Sequence, residues 1–179
     1  MISRNLRHFR LILAVADLGS LTRASEVCHV SQPAVTQAII KIEREVGGAI
    51  FERTRNGFFL TPRGEVLAAR FRRAFELLDP ALADVSTRLR LTVSHAQLRA
   101  LIAVREAENF TLAARQLGLA QPTVHRAITQ IEEEAGRKLF DRASYGIVPT
   151  RACQALAQAA RLALYEFDQA EADLAEFEG

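Results

Sequence analysis

Leu6, Phe9, Ile12, Leu13 and Ala16 recur at steps of three and four residues and stop at Gly19, which is the spacing of one apolar face on an α-helix. Ser20 is a good N-cap and predicts a short second helix through Cys28, with Leu21, Ala24, Val27 and Cys28 turned inward. Ser31 predicts the next cap, with Pro33 in the first turn, where a missing N–H costs nothing. Val35, Ala38, Ile39, Ile42 and Val46 give this third helix its buried stripe, and Gly47-Gly48 ends it. Thr36, Gln37, Ile40, Lys41 and Arg44 fall off that stripe. Two short extended pieces follow, near Phe51–Thr54 and Phe58–Thr61, around an Arg55-Asn56-Gly57 turn. Pro62 opens a fourth helix that reaches Leu78, where Asp79-Pro80 is expected to break it.

The same pattern then returns. Shifting the sequence by 89 residues aligns Leu6–Leu78 with His95–Phe167 and matches 22 of 73 positions without a gap. Apolar character also persists where identity fails, as in Ile12/Leu101, Leu13/Ile102 and Ile50/Leu139. The second copy is predicted to have helices near 95–107, 110–117 and 121–135, extended pieces near 140–150 and a long helix from about 151 to 177. Three helices, a tight second-to-third turn and a β-wing make a winged helix-turn-helix. The fold class is therefore mainly α, with two tandem winged helix-turn-helix domains, each followed by a long linker helix. The expected division is residues 1–79, a connector over 80–94, and residues 95–179.

The long helices carry a second pattern. Leu67, Phe71, Ala74 and Leu78 step by four and three, as do Leu156, Ala160, Ala163, Phe167, Ala170, Leu174 and Phe177. Such a heptad seam needs another helix to cover it. Two arrangements are open: an internal pseudo-dimer, with Leu67, Phe71 and Leu78 against Ala163, Phe167 and Leu174, or pairing between chains to give a four-reader dimer.

Charge sharpens the picture. Residues 1–80 hold 12 Lys/Arg against 8 Asp/Glu, and residues 81–164 hold 11 against 7, while residues 165–179 hold six acids and no base. Two basic bodies with an acidic tail suit a polyanionic partner. Cys28 and Cys153 lie far apart without metal-like spacing, and His8, His29, His95 and His125 show no ligand spacing, so no disulfide framework, metal or cofactor is expected. Cys28 reads as a small buried hydrophobe. No nucleophile–base pair or paired carboxylates stand out, which argues against an enzyme. No apolar run approaches membrane-spanning length and the first twenty residues do not read as a signal peptide, so a cytoplasmic location without membrane contact is expected.

At Ser31–Glu65 the residues Ser-Gln-Pro-Ala-Val-Thr, Ile42-Glu43, Gly47, Phe51-Glu52-Arg53-Thr54 and Leu60-Thr61-Pro62-x-Gly64 appear in order. With Leu21-Thr22-Arg23-Ala24-Ser25, this stretch strongly resembles the DNA-binding domain of LysR-type transcriptional regulators over about residues 5–79. Residues 95–178 resemble it through Phe110-Thr111-Leu112-Ala113-Ala114, Gln121-Pro122-x-Val124 and Leu139-Phe140-Asp141-Arg142. They depart at Ala120, where the capping Ser stands in the first copy, and at Thr150-Arg151-Ala152-Cys153, where the Thr-Pro-x-Gly helix start is lost. The resemblance implies a recognition helix in the major groove, a wing beside the backbone, and a linker helix that pairs antiparallel with a second copy. It also implies a large effector-binding domain, which these residues do not include, so a small-molecule effector would act only through a domain not present here. The favoured reading is the DNA-binding part of a longer regulator; the other is a stand-alone double reader.

Gln32, Thr36 and Gln37 sit near the N-terminus of the third helix, the part that meets base edges in helix-turn-helix docking. Gln can pair with adenine through two hydrogen bonds, and a Thr methyl can meet the thymine methyl. In the second copy Gln121, Thr123, His125 and Arg126 take that face, and Arg suits guanine O6 and N7. Ser31 is both cap and phosphate neighbour, and Pro33 shapes the helix start. Arg53, Arg55, Asn56 and Arg142 are candidates for backbone or minor-groove contact, with a structural ion pair the alternative for Arg53 and Arg142. The expected partners are double-stranded DNA and the chain's own linker helices. The competing function is a protein-interaction or oligomerisation module whose second copy, or both copies, have abandoned DNA. Steep loss of affinity with salt separates the first from the second.

Overall fold

In the computed structural model, which describes residues 1–179, the first copy consists of α1 (Leu6–Leu18), α2 (Leu21–Val27), α3 (Gln32–Val46), β1 (Phe51–Thr54), β2 (Gly57–Leu60) and α4 (Pro62–Val85). A short α5 (Leu89–Thr92) leads to the second copy: α6 (His95–Ala107), α7 (Phe110–Leu117), α8 (Gln121–Ala135), β3 (Phe140–Ala143), β4 (Gly146–Pro149) and α9 (Arg151–Glu178). Each strand pair is an antiparallel hairpin, in register Phe51↔Leu60 and Phe140↔Pro149. Side chains cap most helix starts: Asn5, Ser20, Ser31, Ser94 and Asn109 each accept a hydrogen bond from a backbone N–H three residues on.

The chain gathers into two compact units, residues 1–74 with 165–179, and residues 75–164. Each unit holds one winged helix-turn-helix, the first part of the long helix that follows it, and the last part of the other copy's long helix. In the first unit, Phe9 of α1 stacks on Phe71 of α4 with ring centroids 4.2 Å apart, and Phe167 of α9 lies 5.0 Å and 6.0 Å from them. Aromatic pairs at such offsets contribute beyond their buried area. Arg63 pairs with Glu178, Arg70 with Asp173, and both Arg70 and Arg73 with Glu166. Ascending α4 thus matches descending α9, an antiparallel packing. In the second unit the positions equivalent to Phe9, Phe71 and Phe167 are Leu98, Ala160 and Leu78, all fully buried. An aliphatic core replaces the aromatic one.

Four expectations need correction. Helix α4 does not break at Asp79-Pro80 but continues to Val85, with Pro80 inside it. The lost donor and ring clash cost roughly 3 kcal/mol. Burying Leu78, Leu82 and Val85 on the same face offsets this, at about 1.5–3 kcal/mol for each large side chain. Val27 is exposed and Ser25 is buried in its place. At 100° per residue, 21, 24, 25 and 28 make one stripe and 27 lies well to its side. Ser25 tolerates burial because its hydroxyl donates to the Thr22 carbonyl at 2.7 Å. Cys28 is half-buried, whereas Cys153 is buried and desolvation pushes its thiol up to about 12. Phe177 leaves the seam and is exposed, because the helix it would pack against begins at Pro62.

Gly64, the first-turn glycine of α4, is a close-approach residue. A Cβ there would overlap the Ile50 carbonyl oxygen and press on Leu60. That carbonyl also accepts the Thr61 N–H at 3.0 Å, and the Thr61 hydroxyl accepts the Gly64 N–H at 3.0 Å. The second copy keeps the equivalent bonds, Thr150 N–H to Leu139 and Cys153 N–H to the Thr150 hydroxyl. Gly64→Ala should therefore destabilise the chain by about 1–3 kcal/mol through overpacking against backbone. Urea denaturation monitored by circular dichroism measures this; an unchanged midpoint would show that the entry to α4 has slack.

Candidate nucleic-acid interface

Helix α3 is presented by a tight turn after α2, where His29 takes a left-handed conformation (φ 55°). Its N-terminus is finished by the Ser31 hydroxyl, which accepts the Ala34 N–H at 3.2 Å. The stripe Val35, Ala38, Ile39, Ile42 and Val46 is buried, so Gln32, Pro33 and Gln37 stand exposed and Thr36 is half-buried. Gln32 is oriented by Thr22 of α2, whose hydroxyl donates to its amide oxygen at 3.3 Å. The Thr36 hydroxyl donates to the Gln32 carbonyl at 3.3 Å. Gln37 is left free to reach outward.

Glu43 ties this helix to the wing. Its carboxylate accepts the Ile50 N–H at 2.8 Å and the Phe51 N–H at 3.4 Å, so helix and hairpin move together. The Arg53 guanidinium sits 5.6 Å from the Phe58 ring centroid, a cation–π contact rather than an ion pair. Arg55 and Asn56 are exposed in the two-residue turn between β1 and β2. Gly57 belongs to β2 rather than to the turn, so the second strand begins one residue earlier than expected. The Gly57 φ of 124° suits glycine, and its Cα faces the Gly19 carbonyl too closely for a Cβ.

The second copy repeats this scaffold and alters what it displays. Glu132 accepts the Leu139 N–H at 2.7 Å and the Phe140 N–H at 3.4 Å, and Thr111 orients Gln121 at 3.2 Å. Ala120, however, supplies no side-chain cap to α8. Gln121, Thr123, His125 and Arg126 are exposed. His125 leans on Phe110 of α7, with ring centroids 4.9 Å apart, and its Nδ1 lies 3.5 Å from the Thr129 hydroxyl. Arg142 is exposed and forms no ion pair. A cleft of about 640 Å³ separates α8 from this wing, with Phe110, His125 and Arg142 on its walls.

Comparing positions 89 apart exposes differences that motif reading passed over. Arg23, Lys41, Arg44 and Arg55 of the first copy become Leu112, Gln130, Glu133 and Ser144. Asn56 becomes Tyr145, which is 81% exposed at the wing tip. New cations appear instead at Arg115, Arg126, Arg137 and Lys138. Positive charge is lost from the flank of the third helix and from the wing tip; two of the new cations stand in the turn after α8, one on α7 and one near the start of α8. The seam residues Leu67, Phe71 and Leu78, and Leu156, Phe167 and Leu174, are all buried.

No helix is long and apolar enough to cross a membrane. The family model of bacterial regulatory helix-turn-helix proteins of the lysR family matches the chain twice, over residues 6–65 and 95–154. The HTH-type transcriptional regulator GalR of Pseudomonas putida is 35% identical over 178 residues, which is 98% of this chain and 45% of that protein. The small neutral protease regulatory protein of Streptomyces coelicolor is 38% identical over 85 residues, 48% of this chain and 24% of that protein. The chain thus spans less than half the length of these curated relatives. Among solved structures, the BenM DNA-binding domain in complex with benA site 1 DNA is 32% identical with a TM-score of 0.46, covering 49% of this chain and 98% of that one.

The two helix starts provide a paired test. Ser31→Ala should cost about 0.5–2 kcal/mol, and Ala120→Ser should stabilise by a similar amount by restoring an acceptor for an orphan N–H. Chemical denaturation of both variants reads the sign; two shifts in the same direction would mean that capping does not govern these helix ends.

Proposed function

This chain belongs to the lysR family of bacterial regulatory helix-turn-helix proteins, and from that membership we propose that it binds specific duplex DNA sites in transcription control, without catalysis. The observation that carries the proposal is the first reading head. A Ser-capped helix exposes Gln32 and Gln37 at its N-terminal end, and Glu43 holds it to a wing that exposes Arg55 and Asn56. Helix N-termini attract phosphate, while exposed amides at that end read base edges.

For function, residues 1–79 and 95–179 are the two readers and residues 80–94 the connector. Their linker helices form an internal pseudo-dimer suited to an asymmetric site, and the two readers contribute unequally. The ion pairs of Arg63, Arg70 and Arg73 with the last part of α9 in the first unit support this. The second copy is the weaker reader, since it lacks the cap and most of the flanking cations. A second reading has its own observation. Leu112, Leu119 and Tyr145 are exposed on the second copy, which suits a protein partner there, with DNA left to the first.

Selection of DNA from a random library with the purified chain gives the site for fluorescence titration. Gln37→Ala should cost about 1–3 kcal/mol at the selected site and relax its base preference, while Arg55→Ala should weaken all sequences and reduce the salt slope by about 1. Arg126→Ala should cost less than Gln37→Ala; the reverse order would make the second copy the principal reader. If neither Gln37→Ala nor Arg55→Ala alters binding, the recognition-helix assignment fails. Arg70→Cys with Asp173→Cys, in a background lacking Cys28 and Cys153, should be closed within one chain by a short bis-maleimide. Only cross-linked dimers would establish pairing between chains instead.

A further inference from the structure

The last turns of the two recognition helices are held very differently. Glu45, in the last turn of α3, accepts the Ser3 N–H at 2.7 Å and the Ser3 hydroxyl at 2.6 Å. The residues on either side of Ser3 are themselves anchored. Ile2 donates its N–H to Glu171 at 2.5 Å, and the Arg4 guanidinium reaches Glu171 and Asp168, each at 2.8 Å. A second grip lies one residue further on. The Val46 carbonyl accepts from Arg63 at 3.0 Å, and Arg63 also pairs with Glu178 at 2.8 Å. Gly48 leaves room for this guanidinium, which a Cβ would strike.

Asp168, Glu171 and Glu178 all belong to the acidic end of α9, so one stretch of helix secures both grips. Burial by itself would raise the Glu45 and Glu171 carboxyls. Hydrogen bonds from Ser3 to the first, and from Ile2 and Arg4 to the second, overrule it and hold both below the ordinary carboxylate range. Charge-assisted bonds of this length are the strong class.

Helix α8 lacks both grips and is held by longer contacts at its last turn, beside one bond further back in which the Gln97 amide donates to Gln130 at 3.1 Å. The position of Arg63 is Ala152, and that of Gly48 is Arg137. Arg137 reaches the Asp84 carbonyl at 3.3 Å, and Arg88 reaches Glu134 at 3.4 Å. Both arginines are exposed, and both contacts are near the outer limit of useful hydrogen-bond geometry.

We propose that residues 168–178 form a latch that fixes the pitch of α3, so that the first reader is preorganised and the second is compliant. The proposal rests on the DNA-reading function given above. Ser3 and Arg63 act as positioning residues, since they grip the end of α3 opposite to the one that displays Gln32 and Gln37. Base contacts demand a fixed helix pitch, whereas phosphate contacts carry no sequence information. A released latch therefore lowers selectivity before it lowers general affinity for DNA.

The test is the full chain carrying Glu171→Gln and Glu178→Gln, compared with Arg88→Ala in the second copy. Amide exchange at residues 43–46 should quicken about tenfold in the double variant while α8 is unchanged. The ratio of selected-site to random-DNA affinity should fall about fivefold or more, with random-DNA affinity unaltered. Arg88→Ala should leave residues 43–46 and this ratio unchanged. Unaltered exchange at 43–46 overturns the latch. Faster exchange throughout the first unit, with a lower melting temperature and an unchanged ratio, also overturns it and assigns the acids to stability alone. If the unmodified chain selects no DNA, the proposed function falls, and the exchange measurement decides the latch by itself.

Discussion

A long helix with one apolar stripe cannot stand alone in water, and covering that stripe is the constraint on which everything else depends. In the first unit the cover is the three-ring cluster of Phe9, Phe71 and Phe167. The same face must also bury Glu166, at 5% exposure. A carboxylate so placed is costly without partners, and Arg70 and Arg73 both supply them at 2.8 Å. Apolar packing gives this helix contact its strength. The charge pattern gives it a register, since Arg63, Arg70 and Arg73 meet Glu178, Asp173 and Glu166 only in antiparallel order.

The six acids after residue 164 therefore do more than set the net charge of the tail. Five of them, Glu166, Asp168, Glu171, Asp173 and Glu178, pair with arginines of the first unit. The basic character of that unit is partly neutralised on its linker and N-terminal side. On α2, α3 and the wing Arg23, Arg44, Arg53 and Arg55 stay exposed. Charge is thus sorted by face, with arginines structural on one side and available to a polyanion on the other.

Duplication separated scaffold from display. The bonds that set the winged helix-turn-helix recur 89 residues later: Glu43 and Glu132 to the strand after the helix, Thr22 and Thr111 to the first Gln, Thr61 and Thr150 at the start of the long helix. The residues that differ are mostly those at the surface, where changing a side chain leaves the core intact. Shared internal bonds preserve the fold while exposed positions diverge, and so one chain carries two similar scaffolds with unlike faces.

The α-helices and hairpins were legible one by one because their signals are local: a cap at Ser20 or Ser31, an apolar period of 3.6, and a glycine after the last turn. The stripe of α3 was correct residue for residue, since it needs only a helix and a core. Errors arose where a distant element decided. Pro80 reads as a break until Leu78, Leu82 and Val85 find a surface to bury against, and Phe177 reads as seam until the partner helix runs out. Val27 is a different case: the helix period alone puts it well to the side of the 21, 24, 25 and 28 stripe, and its apolar character misleads. The candidate reading residues followed from position on the helix and from family resemblance. The hold on the far end of that helix did not, because Ser3, Arg63 and Glu178 are remote in sequence and meet only through the packing of α9. Local periodicity determines which elements exist; the long-range pairing of charge and apolar surface determines what holds them.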